Sequence, residues 1–568
     1  MASDATTEFD AIVVGSGISG GWAAKELSER GLKVLLLERG RHVTHRGDYV
    51  TEGKAAWEMP YRGQIPESVV DSEYAVQKDC YAFTDYTKQF FVNDRENPYS
   101  VAEDKPFTWI RGYHLGGRSL TWHRQSYRWG ELDFAANKLD GHGVDWPIRY
   151  KDLAPWYDHV ETFAGISGSH EGLSQLPDGQ FQPPFPMNCV EKEVKQKIEA
   201  ALPGRNLIIG RTAHLTEPTT EQMSLGRVRC MNRSECQRGC SFGAYFSSLS
   251  ATLPAANRSG NLTTVTDAIV DSVVYDSDKR RASGVRVIDA NTGERRSYGA
   301  RLIFLCASTL GTTQIMLNST SESFPNGIAN SSGALGQYLM DHLGGVSASG
   351  RFHGHSDKYH SGRRATGVYI PRFRNVTDKD ERFVRGFGYQ GSAFRPAMWS
   401  WSGEGIGVDL KQRLRQPGPW RFGIGGFGEM LPDKRNRVWL DENNKDRWGI
   451  PILQIDCEHR ENEIAMLDAI AEDAGELLEA AGLTDINVSK NAAPPGLMIH
   501  EMGTARMGHD PATSVLNKFN QAHDVPNLFV TDGAAMTSSA CQNPSLTYMA
   551  ITARAAAAAV DMLKEGTL

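Results

Sequence analysis

Residues 10–40 read DAIVVGSGISGGWAAKELSERGLKVLLLERG, and no other stretch of the chain limits its fold so tightly. Ala11 to Val14 is a short apolar run with β-branched residues, the pattern of a buried strand, and it ends in Gly15-Ser-Gly17-Ile-Ser-Gly20. Ala23, Ala24 and Leu27 then repeat at helical spacing, Gly31 stops the helix, and a second apolar run, Val34 to Leu37, ends at Glu38. A strand, a glycine turn, a helix, a second strand and an acid in this order form a dinucleotide site. Gly15 permits the tight turn, Gly17 lets backbone approach a pyrophosphate, Gly20 lets the helix pack on the strand, and the helix N-terminus faces the anion. Glu38, with Arg39 beside it, is placed to accept hydrogen bonds from an adenosine ribose. The motif alone does not separate FAD from NAD.

The other end of the chain does. Residues 500–549 read HEMGTARMGHDPATSVLNKFNQAHDVPNLFVTDGAAMTSSACQNPSLTYM. Asn527 to Thr531 reads as a strand, Asp532-Gly533 as a turn, and Ser545 to Val560 as a helix whose start is marked by an Asn543 cap and Pro544. The H-x-x-G-T-x-x-M-G opening, the VPNLFVTDG strand and the NPSLTYM helix start resemble the glucose-methanol-choline oxidoreductases, FAD enzymes that oxidise alcohols and sugars. Three further regions extend the likeness along the chain: RGYHLGGRS (111–119), LCASTLGTTQ (305–314) and LGQYLMDH (335–342).

The resemblance implies an α/β fold, with a Rossmann-like FAD-binding domain interrupted by an α+β substrate domain built on an antiparallel sheet. The expected segments are 1–330 for the FAD domain, 331–490 for the substrate domain and 491–568 for the return to the FAD domain. It places Gly116, Gly117, Ser119, Asp532, Gly533 and Pro544 against the cofactor, and sets His500 and Asn543 facing the flavin. The residue types suit alcohol oxidation: neutral imidazole can take the hydroxyl proton near neutral pH, and an Asn amide can donate a hydrogen bond to the same oxygen. Some relatives attach FAD through a histidine in the glycine loop; Thr121 stands at the matching place here, with His123 two residues on, so non-covalent FAD is expected. His342 and His509 read as structural.

Three of the chain's eight cysteines fall in CMNRSECQRGC, residues 230–240. A zinc site would normally show a C-x2-C element and a fourth ligand, which are missing. Cys230, Cys236 and Cys240 at C-x5-C-x3-C can hold a [3Fe-4S] cluster, or a [4Fe-4S] cluster completed from elsewhere; three unliganded thiols in a polar loop remain the plain alternative. Bacterial sugar dehydrogenases of the resembled family, including glucoside 3-dehydrogenases, carry a three-cysteine motif here that relays electrons outward. That resemblance implies a cytochrome c or quinone acceptor and a small second subunit. Cys80, Cys189, Cys306, Cys457 and Cys541 read as buried small hydrophobes.

A net charge of -7 and no basic run longer than Lys279-Arg-Arg281 argue against a nucleic-acid partner. The longest apolar run is alanine-rich, lies near the C-terminus and is flanked by Arg554 and Asp561, so no membrane span is expected. The start, MASDATTEF, lacks the basic and apolar parts of a signal peptide. The expectation is therefore a cytoplasmic protein, or a periplasmic one carried out by a signal-bearing partner subunit. Around the expected substrate site, Gln390, Trp399 and Trp401 are candidates for holding a sugar by stacking and hydrogen bonding. The reading is an FAD-dependent dehydrogenase that oxidises a secondary hydroxyl of a sugar or glycoside, to the 3-keto sugar. Its rivals are an oxygen-using 3-oxidase without a cluster and a non-redox lyase that keeps FAD.

Overall fold

The computed structural model describes residues 7–359, 366–377, 379–396 and 406–568. The strand Thr7–Val14 lies between Val34–Leu37 and Arg295–Leu305, pairing with both in parallel, Ala11 opposite Val34 and Leu302. Leu262–Val265 extends the sheet on one side, and Arg281–Asp289 and Ala268–Asp276 on the other. Leu528–Val530 adds a parallel partner to Arg295–Leu305, so the two ends of the chain share one sheet. Val34 to Leu37 are all buried, as a continuous apolar strand inside a parallel sheet requires.

Helix Ile18–Glu29 covers this sheet together with Ser545–Lys564, which in turn packs on Tyr150–Ala164. Ser545–Lys564 runs four residues beyond the predicted end and is the one helix among the described residues long and apolar enough to cross a membrane by length and composition. Of its apolar window, 72% is buried inside the protein, the placement of a core helix.

The second large sheet is antiparallel. In spatial order it runs Thr484–Lys490, Val346–Arg351, Arg421–Glu429, Phe387–Phe394, Val368–Ile370 and Ile208–Ile209. Helix Glu461–Ala480 backs it. Gly426 allows the close approach, since a Cβ there would meet Ile470 Cγ2 at 2.2 Å. Phe387 and Tyr389 point into this packed side, with the Tyr389 hydroxyl donating to the Ile470 carbonyl at 2.8 Å; neighbouring Gln390 alternates to the opposite face. A smaller sheet, Met502–Thr504, Gln337–Met340, Arg437–Lys445, Pro451–Asp456 and Ser100–Val101, ties the two together. The stretch Asp446–Ile450 turns between two strands of this small sheet, with Trp448 beside Arg39.

Candidate active site

A cavity of about 580 Å³ runs from the glycine turn to the antiparallel sheet. Its walls include Gly15, Gly17, Glu38, Arg39, Gly117, Ser119, Asp532 and Gly533 at or near the expected cofactor path, and Gln390, His500 and Asn543 at the other end.

The glycines divide by what surrounds them. A Cβ on Gly20 would sit 1.8 Å from the Gly15 carbonyl oxygen, so this glycine is what lets the helix begin against the turn. A Cβ on Gly17 would meet nothing within 4 Å, because its Cα faces open cavity, which is where a pyrophosphate needs bare backbone. Gly116, at φ +88, donates its N–H to Ser16 Oγ at 2.9 Å and closes the second glycine loop over the first. Glu38 accepts from the Ser16 N–H (3.1 Å), the Ser16 hydroxyl (2.5 Å) and the Gly40 N–H (2.9 Å), while burial raises its pKa. The Arg39 guanidinium lies 4.1 Å over the Tyr113 ring. Asp532 accepts from Thr312 Oγ1 and the Ala534 N–H, and burial pushes it up to about 6.

At the far end, the side-chain amide Nδ2 of Asn543 lies 3.5 Å from His500 Nε2, and its Oδ1 accepts from Gln390 Nε2 at 2.6 Å. Gln390 therefore fixes which way the amide points. Asn543 does not cap the helix: Pro544 holds the N-cap position with no side-chain bond, leaving the Asn543 amide to the cavity.

His500 is set by two residues 158 and 159 positions earlier. His342 Nε2 lies 3.2 Å from the Ser539 carbonyl, which can only accept, so that nitrogen carries the hydrogen. In a neutral ring His342 Nδ1 is then bare and accepts from His500 Nδ1–H, 3.0 Å away. His500 is left with its lone pair on Nε2, beside Asn543 and the cavity. Burial, the neighbouring His342 ring and the Arg118 charge hold the His500 pKa well below its ordinary value, and burial takes His342 to about 4. Asp341 accepts from the backbone N–H of Gly496 (2.7 Å), Met498 (3.1 Å) and His500 (3.0 Å). That clamp holds Ile499 at φ +64, a costly conformation for a β-branched residue, immediately before His500. Arg118 is paired through two nitrogens with Glu501 (3.2 and 2.9 Å).

Two models of the GMC oxidoreductase family match the chain, the N-terminal one over residues 9–344 and the C-terminal one over 432–552. The chain belongs to the GMC oxidoreductases. It is 29% identical to 2-methyl-1,2-propanediol dehydrogenase of Mycolicibacterium austroafricanum, over 96% of this chain and 94% of that protein. It is 26% identical to the fructose dehydrogenase large subunit of Gluconobacter japonicus, over 99% and 100%. Among solved structures, pyridoxine 4-oxidase from Mesorbium loti shares the fold with a TM-score of 0.58 at 16% identity, covering 97% of this chain and 99% of that one.

As a GMC oxidoreductase the protein is an FAD-dependent enzyme acting on an alcohol or sugar, and its cavity suits FAD: bare glycine backbone at Gly17, a helix N-terminus behind it and an acid at Glu38. The cysteine expectation fares differently. Cys230, Cys236 and Cys240 lie within electrostatic reach of one another, and Cys236 Sγ is 3.6 Å from His214 Nε2. Among the described residues, however, no group of three metal-capable side chains converges on one point. As folded here, the segment does not present a cluster's ligand set; Glu52 accepts from Arg233 and from the Ser241 N–H and hydroxyl beside it.

Gln390 is in the cavity, but holding Asn543; Trp399 and Trp401 lie outside the described residues. His509 is exposed, and Cys541 is buried. Asp341 and His342 were within a quoted motif yet carried no sequence signal of contact with His500. Arg124 also lines the cavity and was likewise unmarked in the sequence.

Proposed function

We propose that the protein oxidises a secondary hydroxyl of a sugar or glycoside, with His500 as the base and Asn543 as the donor that holds the substrate oxygen. The observation that carries this reading is the tautomer chain from the Ser539 carbonyl through His342 to His500, which leaves the Nε2 lone pair next to the Asn543 amide in the cavity.

The substrate hydroxyl sits between the two side chains, accepting from Asn543 Nδ2 and donating to His500 Nε2. FAD bound in the cavity supplies the acceptor for the hydrogen and two electrons that leave the carbinol carbon. His500 takes the hydroxyl proton at Nε2 while its Nδ1–H stays on His342. The same burial that depresses the His500 pKa disfavours the imidazolium and promotes release of the proton once the carbonyl has formed. Gln390 keeps the Asn543 amide from rotating its carbonyl oxygen towards the substrate, and Asp341 keeps the His500 loop in place.

Oxidation at the 3-hydroxyl and transfer of electrons to an external acceptor, such as cytochrome c or a quinone, complete the reading. The named activity of the fructose dehydrogenase large subunit supports sugar as the donor. A line of contacts supports an exit towards the cysteine segment: Arg124 lines the cavity, its guanidinium lies 4.6 Å over Tyr245, Tyr245 is 5.9 Å from the His214 ring, and His214 meets Cys236.

Anaerobic stopped flow with the holoenzyme and a panel of sugars tests the chemistry. His500→Ala should retain FAD and lose on the order of 10²- to 10⁴-fold in flavin reduction; an unchanged rate removes His500 from the reaction. Iron and acid-labile sulfide assays with EPR on anaerobically purified protein test for a cluster, and a signal lost in Cys236→Ser would place it at the cysteine segment.

A further inference from the structure

Gln125 is only 2% exposed and yet lines the cavity. Its Oε1 accepts from the Tyr127 hydroxyl at 2.6 Å, and burial holds that phenol far above its ordinary pKa, so it keeps the hydrogen it donates. The amide is thereby oriented, with Nε2 turned away from Tyr127. That nitrogen has no partner among the described residues, and it is not sealed in protein as the unpartnered Nε and Nη1 of Arg124 are. For a side chain so deeply buried, the open space it meets is the cavity.

Its neighbours fix which end of the cavity this is. Gln125 bridges to Thr212, and the Ser126 N–H donates to the Arg211 carbonyl at 3.1 Å, so the segment runs extended and residues 125, 127 and 129 share a face. Arg124 and Arg128 turn elsewhere, to the Tyr245 ring and to Glu161. On the shared face the Tyr127 ring stacks on Tyr369 at 4.1 Å, and the Trp129 indole N–H donates to the Gln542 carbonyl at 3.3 Å. Tyr369 stands directly opposite Gln390 in the antiparallel sheet, and Gln542 immediately precedes Asn543. Two separate contacts of this face therefore lead to the pair that holds the Asn543 amide, and the Gln125 Nε2 opens at that end.

Resting on the oxidation reading above, we propose that Gln125 is a substrate-binding residue whose Nε2 donates to a second hydroxyl of the sugar, while His500 and Asn543 hold the one being oxidised. An amide nitrogen can only donate, so the group it recognises is an oxygen lone pair. A substrate lacking that hydroxyl displaces water and leaves the donor unpaired, which makes the position select polyols over simple alcohols. Tyr127 is a positioning residue, keeping the amide from turning its oxygen to the substrate.

The test is anaerobic flavin reduction by the holoenzyme with methyl β-glucoside and its 2-, 4- and 6-deoxy derivatives, repeated with Gln125→Met, Gln125→Glu and Tyr127→Phe after FAD content is checked. Gln125→Met should lower kcat/KM for the parent glycoside on the order of 5- to 50-fold and leave one deoxy derivative nearly unaffected. Gln125→Glu, which when ionised still accepts from Tyr127 but cannot donate, should match it, and Tyr127→Phe should show a smaller loss with the same derivative spared. Equal losses for the parent and every derivative, or no loss at all, overturn the proposal while leaving sugar oxidation intact. A shift of about tenfold or more in the flavin reduction equilibrium of Gln125→Met, without a change in substrate pattern, assigns the amide to the flavin and overturns it equally. If no sugar reduces the flavin, the oxidation reading falls. Gln125 is then decided by difference-spectrum titration with the same sugars, where parent binding weakened in Gln125→Met with one derivative spared upholds the contact and any other result rejects it.

Discussion

The Nδ1 atoms of His500 and His342 lie 3.0 Å apart, and only one of them can carry the hydrogen between them. Because the Ser539 carbonyl claims the Nε2 hydrogen of His342, the bare Nδ1 belongs to His342 and the bare Nε2 to His500. His342 acts through its neighbour, as a positioning residue. His342→Phe should bind FAD normally and reduce it about tenfold or more slowly, since His500 is freed to adopt the other tautomer. His342→Gln, whose amide oxygen can still accept from His500 Nδ1–H, should recover part of the rate. Equal losses in both variants, with an unaltered pH profile, would mean that the ring only fills space.

The pH dependence has a definite sign. Burial, His342 and Arg118 all disfavour the imidazolium of His500, so its ring stays neutral well below pH 6.5, and if it is the proposed base the substrate-saturated rate of flavin reduction should be level between pH 8 and 6. The other ionisable groups facing it are Glu501, paired with Arg118, and Asp341, which burial and Glu501 push up to about 7. A limb centred near 6.5 would show that His500 titrates as it does in water. One near 7 that vanishes in Asp341→Asn would belong to the carboxyl under the loop.

Asn543 and Gln390 should separate in kinetics. Asn543→Asp keeps an acceptor for Gln390 but can no longer donate to the substrate oxygen, and the expected loss in the reduction rate is on the order of 10²-fold. Gln390→Leu leaves the amide in place but free to turn, an effect of about three- to tenfold. Rapid-reaction measurements with both variants check the order; a larger loss in Gln390→Leu would reverse the assignment and put Gln390 on the substrate.

Two neighbouring glycines should respond differently to one methyl group. Gly17→Ala should fold with unchanged stability and bind FAD more weakly, because the added Cβ enters open cavity at a backbone φ of -65° that alanine accepts. Gly20→Ala should lower stability by about 1–3 kcal/mol or fail to fold, because the Cβ lands on the Gly15 carbonyl. Thermal melts of apoprotein, alongside FAD titration, distinguish the two. Loss of FAD affinity in Gly20→Ala at wild-type stability would contradict the packing role.

What could be read from the sequence was whatever the chain writes locally. The glycine turn, its strands and Glu38 lie within 30 residues, and the terminal motif spells out the strand at 528–530 and the helix after Pro544. The site's finer wiring was hidden because it joins distant positions: His342 to His500, and Gln390 to Asn543. No periodicity encodes a contact across 150 residues. Asn543 next to Pro544 looked like a helix cap because Asn-Pro commonly is one; the fold gives its amide a different partner. In the cysteine segment, spacing alone could not show whether the three thiols would converge on one point.

The carboxylate of Asp341 gathers three backbone N–H groups from the far end of the chain, and it stands at the threshold of the antiparallel sheet. Anyone wishing to change what this enzyme accepts would exchange that sheet for a relative's and leave the cofactor half untouched. The cut would have to fall after Leu343. A graft beginning a few residues earlier would remove the anchor of the His500 loop and the partner of its histidine in one stroke, and should give a yellow, folded and inert protein whose failure had nothing to do with its new pocket.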